Sequence, residues 1–303
     1  MTAVSVVIPT YRREAPLRRC LRDVLAQRHA DFELFVMDQS PEHEAETWAV
    51  LRGLPEHARH VRLSQPSVVA AVNAGTRLAT APLLVVLDDD IEIADTDLLA
   101  RHARHYDEPS IGGVVGRIMH PTRGVALPPP AADGPLGFLA MNFDHAQPMD
   151  VPTVCGANMS FRRAVVQALG GFDERYTGNA FRWETDFSLR LVRSGYRIRY
   201  DPEARVVHHF HTPGGCDNEH LLSRSPASHA WYETFFRNNV YFALKLLTGS
   251  DRAGFMLRLY REHALNRAFA AAGPGFLAQR HGALVRGTRA GWRTWRQARA
   301  AGG

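Results

Sequence analysis

A chain of 303 residues, 45% hydrophobic and 22% charged, has the size and balance of a soluble globular protein with one large domain or two small ones. No stretch approaches the roughly 20 apolar residues of a membrane span, and the opening MTAVSVVIPTYRRE is no secretory leader, because its short apolar run ends at Pro9. Cys20, Cys155 and Cys216 are odd in number and far apart, which suits free thiols in a reducing, cytoplasmic setting rather than disulfides or a zinc knuckle.

In chain order, residues 3–8 (AVSVVI) predict a strand stopped by Pro9-Thr10. Residues 14–28 have helical spacing, with Leu17, Leu21, Val24 and Leu25 on one face. Residues 32–37 (FELFVM) predict a strand ending at Asp38, 42–52 a helix, 59–63 an extended segment and 67–78 a helix. After Pro82, residues 83–87 predict another strand. This alternation points to a parallel sheet covered on both faces, a Rossmann-like α/β unit. Residues 119–152 carry PTRG, PPP, DGP and QP, and predict a long, flexible loop suited to closing over a ligand. Beyond it, 161–169 and 183–194 predict helices stopped by Gly170-Gly171 and Gly195, and 206–209 a short strand.

From Trp231 onward the pattern is helical. The net charge of +5 gathers at this end: Glu262 is the last acid, and the 41 residues after it carry seven arginines. Arg280, Arg286, Arg289, Arg293, Arg296 and Arg299 alternate with Leu277, Leu284, Trp292 and Trp295. The pattern is a basic amphipathic helix over 276–303, suited to an anionic membrane surface, although Gly282, Gly287 and Gly291 weaken it as a helix. No nucleic-acid reading module is recognisable.

In an open parallel sheet, ligands bind at the carboxyl ends of the strands. Three strands end there in Pro9-Thr10-Tyr11, Asp38-Gln39-Ser40 and Asp88-Asp89-Asp90. No Gly-x-Gly-x-x-Gly follows the first strand and no Gly-Lys-Ser/Thr occurs, which argues against a dinucleotide site and excludes a P-loop. The triple Asp suits Mg²⁺ or Mn²⁺, or else is a solvated acidic turn; the motif alone weighs both equally. In WETDFSLRL, Glu184 and Asp186 open a helix, and capping explains one acid more easily than two. In VVHHFH, His209 and His211 share a strand face and His208 lies on the other; one histidine joining a carboxylate on a metal is the economical reading.

Taken together, VSVVIPTYRREAPLRRCLRDVLAQ, FELFVMDQS and PSVVAAVNAGTRLATAPLLVVLDDD resemble the nucleotide-sugar-binding half of family-2 glycosyltransferases with the GT-A fold. VCGANMSFRRAVVQALGGFDERY and WETDFSLRLVRSGYRIRYDPEARVVHH are similar to their acceptor-binding half. The resemblance spans roughly residues 3–212 in the family's order. It implies a mixed, mainly parallel sheet flanked by helices, a catalytic domain over 1–215 (1–118 for the donor, 153–215 for the acceptor) and a helical extension over 216–303. It also implies inverting, metal-dependent transfer from a nucleoside-diphosphate sugar to a hydroxyl acceptor, in cell-surface polysaccharide, glycolipid or natural-product glycan synthesis. Carried over by motif, Pro9, Thr10, Tyr11, Arg13, Asn73, Arg77 and Asp89 would contribute to the donor pocket. Asp38 would accept the base N–H of a UDP- or dTDP-sugar. Asp88 would face the ribose or sugar, with Asp89 turned toward solvent or a backbone cap. Asp90 and His208 would hold Mn²⁺ or Mg²⁺. Gly156, Ala157, Asn158 and Trp183 would line the acceptor side, and Glu184 would be the base, with Asp186 its rival. The chain departs from the pattern in having Trp183 for the first acid of the usual Glu-Asp pair and no glycine after Gln39. It also lacks an arginine in 67–75, for which Arg77 or Arg117 is a candidate substitute. A donor-binding protein with a degenerate site is the alternative these departures suggest.

Overall fold

The computed structural model describes residues 2–29, 31–131, 133–211, 220–221 and 223–302; Cys216 and the expected domain boundary at 215/216 lie outside them. Two compact units form, one from Met1–Phe172 with Phe187–Gly214, the other from Asp173–Asp186 with Gly215–Gly303. The segment 173–186 thus clusters with the C-terminal helices, a departure from a simple cut near 215.

The first unit begins with β1 (Val4–Thr10), α1 (Ala15–Leu25), β2 (Phe32–Asp38), α2 (Ala45–Arg52), β3 (Ala58–Arg62), α3 (Val68–Leu78) and β4 (Leu83–Leu87). β1 is buried along its whole length, as suits a strand covered on both faces. It pairs in parallel with β2 and β4, and β2 pairs in parallel with β3. Next come β5 (Ile91–Glu92), α4 (Leu98–Arg104), β6 (Ile111–Met119), β7 (Met149–Asp150), β8 (Asn158–Arg162), α5 (Arg163–Ala168) and β9 (Arg197–His208). The sheet runs β3-β2-β1-β4-β8-β6-β9-β5, with β7 on β9. All four antiparallel pairings involve β5, β7 or β8, and the other six strands run in one direction, so the sheet is mixed and mainly parallel.

Two expectations change here, and one strand, β6, is added. Residues 158–162 extend the sheet before the helix at 163–168, so the helix expected over 161–169 loses its first turn to a strand. β6 was hidden by Gly112, Gly113 and Gly116, whose missing side chains make room for Tyr196, Phe161 and Asn158; a Cβ at Gly116 would lie 2.2 Å from the Asn158 amide nitrogen. The short strand at 206–209 is the end of a 12-residue strand that bulges past Pro202, where the register jumps from Asp201 to Arg205. The loop after β6 is tied down near its end: Tyr200 Oη donates to the His145 carbonyl (2.7 Å) and Arg117 pairs with Asp144 (2.9 Å).

The second unit holds α7 (Ser228–Leu246), α8 (Gly249–His263), α9 (Arg267–Ala271) and α10 (Pro274–Ala300). α6 (Trp183–Arg193) begins in this unit and ends in the first. Gly287 and Gly291 are the points of closest approach of α10 to α7: a Cβ there would lie 2.5 Å from the carbonyl oxygens of Glu233 and Arg237. The glycines that weaken the tail as an isolated helix are what let it dock. Arg280, expected on a lipid-facing surface, is fully buried. Its guanidinium lies over the Tyr232 ring (3.5 Å) and donates to Ser228 Oγ (2.8 Å). Among the described residues, no helix is long and apolar enough to cross a membrane.

Candidate active site

Parallel order brings the ends of β1, β2 and β4 to one rim, and the acids after β4 stand there. The two residues of β5 then pair antiparallel with β9, setting Ile91 opposite His208. This pairing carries His208 from the far end of the sequence to the acids. His208 Nε2 is 3.0 Å from Asp90 Oδ1 and 3.6 Å from Asp88 Oδ2. Asp88, Asp90 and His208 each offer one ligand atom, all within 4.8 Å of one another. Two hard carboxylates and one imidazole suit Mn²⁺ or Mg²⁺. Asp88 is the most open of the three aspartates, with 33% of its side chain exposed.

The middle acid is placed differently from the expectation. Asp89 is buried, not turned to solvent: Thr10 Oγ1 donates to its Oδ2 (2.6 Å) and Arg13 Nε to its Oδ1 (3.4 Å). Arg13 also reaches Asp90 Oδ2 at 3.6 Å, so this buried guanidinium is an internal counter-charge of the cluster. Burial, reinforced by Asp90, pushes the Asp89 carboxyl up to about 7. Asp88 is raised too, since the two thirds of its side chain that are covered, with Asp90 adding, outweigh the pull of His208. Burial would raise Asp90 as well, but His208, the His211 N–H and Arg13 hold it below the usual range. Against the lowering effect of burial, Asp90 and Asp88 raise His208 above the ordinary histidine range. His209 turns to the other side, 3.2 Å from Glu92.

Elsewhere on the rim, Pro9 is buried and Tyr11 half-buried at the end of β1. Arg12 follows with φ of +55°, a left-handed turn costing a non-glycine residue about 1 kcal/mol or more. Its N–H donates to Ser40 Oγ (2.9 Å), a tie the sequence did not disclose. Asp38 stands at the expected rim, but it is fully buried. Its Oδ2 takes His60 (2.8 Å), His43 (3.2 Å) and Arg62 (3.4 Å), and its Oδ1 the Ser40 N–H (2.8 Å). Burial would raise it, yet His60 and Ser40 hold it at about 2. Asp38 therefore organises His43, His60 and Arg62 and presents no open acceptor to a base.

Three further residues are placed away from their expected roles. The Asn73 amide exchanges both hydrogen bonds with the Phe172 backbone (2.8 and 3.0 Å) and pins a turn. Arg77 is exposed at the C-terminal end of α3, next to the entry into β4, where Thr80 donates to Glu33 at the start of β2. That is the rim opposite Asp88–Asp90, so Arg77 cannot replace the missing diphosphate arginine; Arg117 is held by Asp144. Asn158 is fully buried, its amide donating to the Ala204 carbonyl (2.8 Å) and its Oδ1 meeting His102 Nε2 (2.8 Å), so it links strands rather than facing an acceptor. Gly156 and Ala157 are buried beside it.

In the second unit, Trp183 is buried at the start of α6, and Ala180 and Arg182 before it are left-handed, with φ of +50° and +80°. Glu184 is half-buried, and its charge acts on Arg182. Asp186 is fully buried: Tyr176 Oη donates to its Oδ2 (2.9 Å) and Lys245 Nζ lies 2.7 Å from the same oxygen. Both pairings mark Asp186 as a structural acid.

Residues 5–170 match the family model "Glycosyl transferase family 2". Among curated relatives, an O-antigen biosynthesis protein, RfbC, of Myxococcus xanthus is 28% identical over 222 residues, covering 68% of this chain and 17% of that protein. Validoxylamine A glucosyltransferase of Streptomyces hygroscopicus subsp. limoneus is 31% identical over 58% of this chain and 45% of its own length. The O-antigen chain rhamnosyltransferase RfbN of Salmonella typhimurium is 24% identical over 69% of this chain and 68% of its own. The chain thus spans less than half of the first two relatives. Among solved structures, a mannosyltransferase from Pyrobaculum calidifontis in complex with GDP-Man and Mn²⁺ superposes with a TM-score of 0.58 at 19% identity, covering 99% of this chain and 79% of that one. GalNAc-T7 with UDP, GalNAc and Mn²⁺ gives 0.59 at 16% identity, over 81% and 50%. At such identity these two show the fold, the GT-A arrangement. With more than half of its length matching the family model, the chain belongs to glycosyl transferase family 2.

Proposed function

We propose that the chain transfers a sugar from a nucleoside-diphosphate donor to a hydroxyl acceptor by a single, inverting displacement, in the assembly of a polysaccharide, glycolipid or natural-product glycan. The convergence of Asp88, Asp90 and His208 on one point carries this reading. A degenerate, donor-binding protein has less support, because Asp88, Asp90, Glu184 and His208 are all retained. With the Asp38 oxygens engaged, the preference for UDP or dTDP loses its main argument.

Asp90 and His208, joined by Asp88, would hold Mn²⁺ or Mg²⁺, which when bound supplies positive charge to a leaving diphosphate. Asp88, the open acid, faces the donor. Thr10 and Arg13 hold Asp89 and so fix the backbone on which its two neighbours stand. Glu184 takes the proton of the acceptor hydroxyl, help worth about 10²–10⁴-fold. The test is transfer with a panel of nucleotide sugars before and after chelation. Activity lost and then restored by Mn²⁺ or Mg²⁺ supports the reading; full turnover in excess chelator removes Asp90 from its role.

The outer face of α10 supports a membrane-surface partner. Arg289, Trp292, Arg293, Arg296 and Arg299 are exposed on it, with Arg296 stacked over Trp292 (4.8 Å). Such a face suits anionic lipid at the inner side of a membrane. Because α10 docks on α7 through buried residues, the test is substitution rather than truncation. Replacing Arg289, Arg293 and Arg296 by Glu should abolish co-sedimentation with vesicles containing anionic lipid; equal sedimentation ends the idea.

A further inference from the structure

The stretch that carries Glu184 is irregular, and turns closed by its own hydrogen bonds, such as Ala180 N–H to the Thr177 carbonyl and Phe181 N–H to Asn179 Oδ1, set only part of its shape. Between Asp173 and Trp183 there is no helix or strand, and two non-glycine residues, Ala180 and Arg182, are left-handed. Such conformations persist where surrounding groups over-determine them. Here one helix supplies a row of such groups. Along α7, Arg237 donates to the Arg175 carbonyl (2.9 Å) and Asn238 to the Thr177 carbonyl (2.9 Å) and to Asn179 Oδ1 (3.1 Å). Asn239 Oδ1 accepts from Arg182 Nε (3.0 Å) while its own amide donates to the Phe235 carbonyl (2.8 Å). One turn on, Tyr241 donates to Asp173 Oδ2 (2.6 Å). Another turn on, Lys245 Nζ lies 2.6 Å from Asp173 Oδ2 and 2.7 Å from Asp186 Oδ2.

Lys245 therefore ties together the two ends of the segment, Asp173 where it begins and Asp186 on the first turn of α6. Asn239 fixes Arg182, two residues before Glu184. A packing role alone asks only for apolar contact, and α7 supplies that with Phe235, Phe236, Val240 and Phe242. The polar side of the same helix is aimed at the segment on which the proposed base stands.

We propose that Lys245 and Asn239 of the C-terminal helix α7 are positioning residues for the transfer, holding the 173–186 segment so that Glu184 is presented in its working geometry. This rests on the reading of Glu184 as the base. Misplacing a reacting group by about 1 Å through a distant change costs on the order of 10²-fold. The effect belongs in turnover and not in donor binding, because the donor-side acids stand in the other unit.

The test compares kcat and donor KM, with a donor that the wild type uses and saturating Mn²⁺, for full-length Glu184→Gln, Lys245→Met, Lys245→Arg, Asn239→Ala and Asn239→Asp. Lys245→Met takes the cation from two carboxylates, leaving Asp173 to Tyr241 and Asp186 to Tyr176, and risks misfolding, whereas Asn239→Ala removes one neutral amide, the acceptor for Arg182 and the donor to Phe235, and should fold. Expected are a fall in kcat of about 10–100-fold for Lys245→Met and Asn239→Ala with donor KM within about twofold, and recovery to within about threefold of wild type in Lys245→Arg and Asn239→Asp. Wild-type kcat in Asn239→Ala and in folded Lys245→Met overturns the proposal while an inactive Glu184→Gln keeps the base. So does a joint loss of kcat, donor affinity and thermal stability in Asn239→Ala, which is plain structural damage. Wild-type turnover in Glu184→Gln overturns the base assignment, and the positioning role with it.

Discussion

Two acid-x-acid stretches carry the candidate chemistry, Asp88 to Asp90 after β4 and Glu184 to Asp186 at the start of α6. They read alike in the sequence, and the fold treats them in opposite ways. In the first, both outer acids converge with His208, the middle acid is turned away onto Thr10 and Arg13, and Arg13 also reaches Asp90. In the second, the outer acids are separated: Asp186 is buried against Lys245 and Tyr176, while Glu184 is half-buried. A pair that must share a cation has to keep like charges together, which is tolerable only with a counter-charge behind it. A pair in which one acid works as a base and the other as an anchor gains from being split.

The sharpest way to break the comparison is at the first cluster. Asp90→Ala should lower transfer by about 10³-fold or more, by removing a ligand and the charge it brings to the diphosphate. It should also abolish stabilisation of the protein by Mn²⁺ in a thermal shift. An Asp89→Asn change, in contrast, should keep Mn²⁺ stabilisation, since that acid faces Thr10 and Arg13. Equal loss in both variants would return all three acids to one role.

At the second cluster the two acids should fail differently. Glu184→Gln should cut kcat by about 10²–10⁴-fold with donor affinity and melting temperature nearly unchanged. Asp186→Asn should cost stability instead, about 3 kcal/mol, the low end for breaking a buried pair, because Lys245 keeps Asp173. Chemical denaturation with a single transition measures this. An Asp186→Asn protein as stable as wild type but unable to transfer would exchange the two assignments.

The same contrast explains what the sequence made legible. β1, β2 and β4 are unbroken apolar runs with breakers at their ends, so their carboxyl rim, and Thr10, Asp38 and Asp88–Asp90 on it, could be placed from pattern alone. β6 could not, because three glycines dilute its strand character at the points where Tyr196, Phe161 and Asn158 press in. Arg77 was drawn to the site by its closeness in sequence to Asn73, but a helix connecting parallel strands runs away from the ligand rim toward the next strand. The partnership of Asp186 with Lys245 spans 59 residues without a motif, and nothing short of the fold reveals it. His208 was the opposite case: a histidine within a short predicted strand, placed by resemblance and then joined to the acids by one two-residue pairing.

The smallest predicted effect concerns the strand joint behind the first cluster. His102 is fully buried, between Ser160 Oγ (2.8 Å) and Asn158 Oδ1 (2.8 Å). Burial pulls its pKa down to about 4, with the Asn158 bond opposing. The folded value is thus below the unfolded one near 6.5, so between these limits the unfolded chain binds more protons than the folded one. Stability must then fall as pH falls through this window, and the His102 contribution between pH 7.5 and pH 5 is about 2 kcal/mol. A His102→Gln variant, able to bond to one neighbour and unable to titrate, should be less stable at pH 7.5 and should lose less on acidification. Denaturant midpoints at pH 7.5, 6 and 5 measure the slope. Parallel slopes for the two proteins would mean that His102 takes up its proton in place, and that the joint holding Asn158 is wetter than its burial indicates.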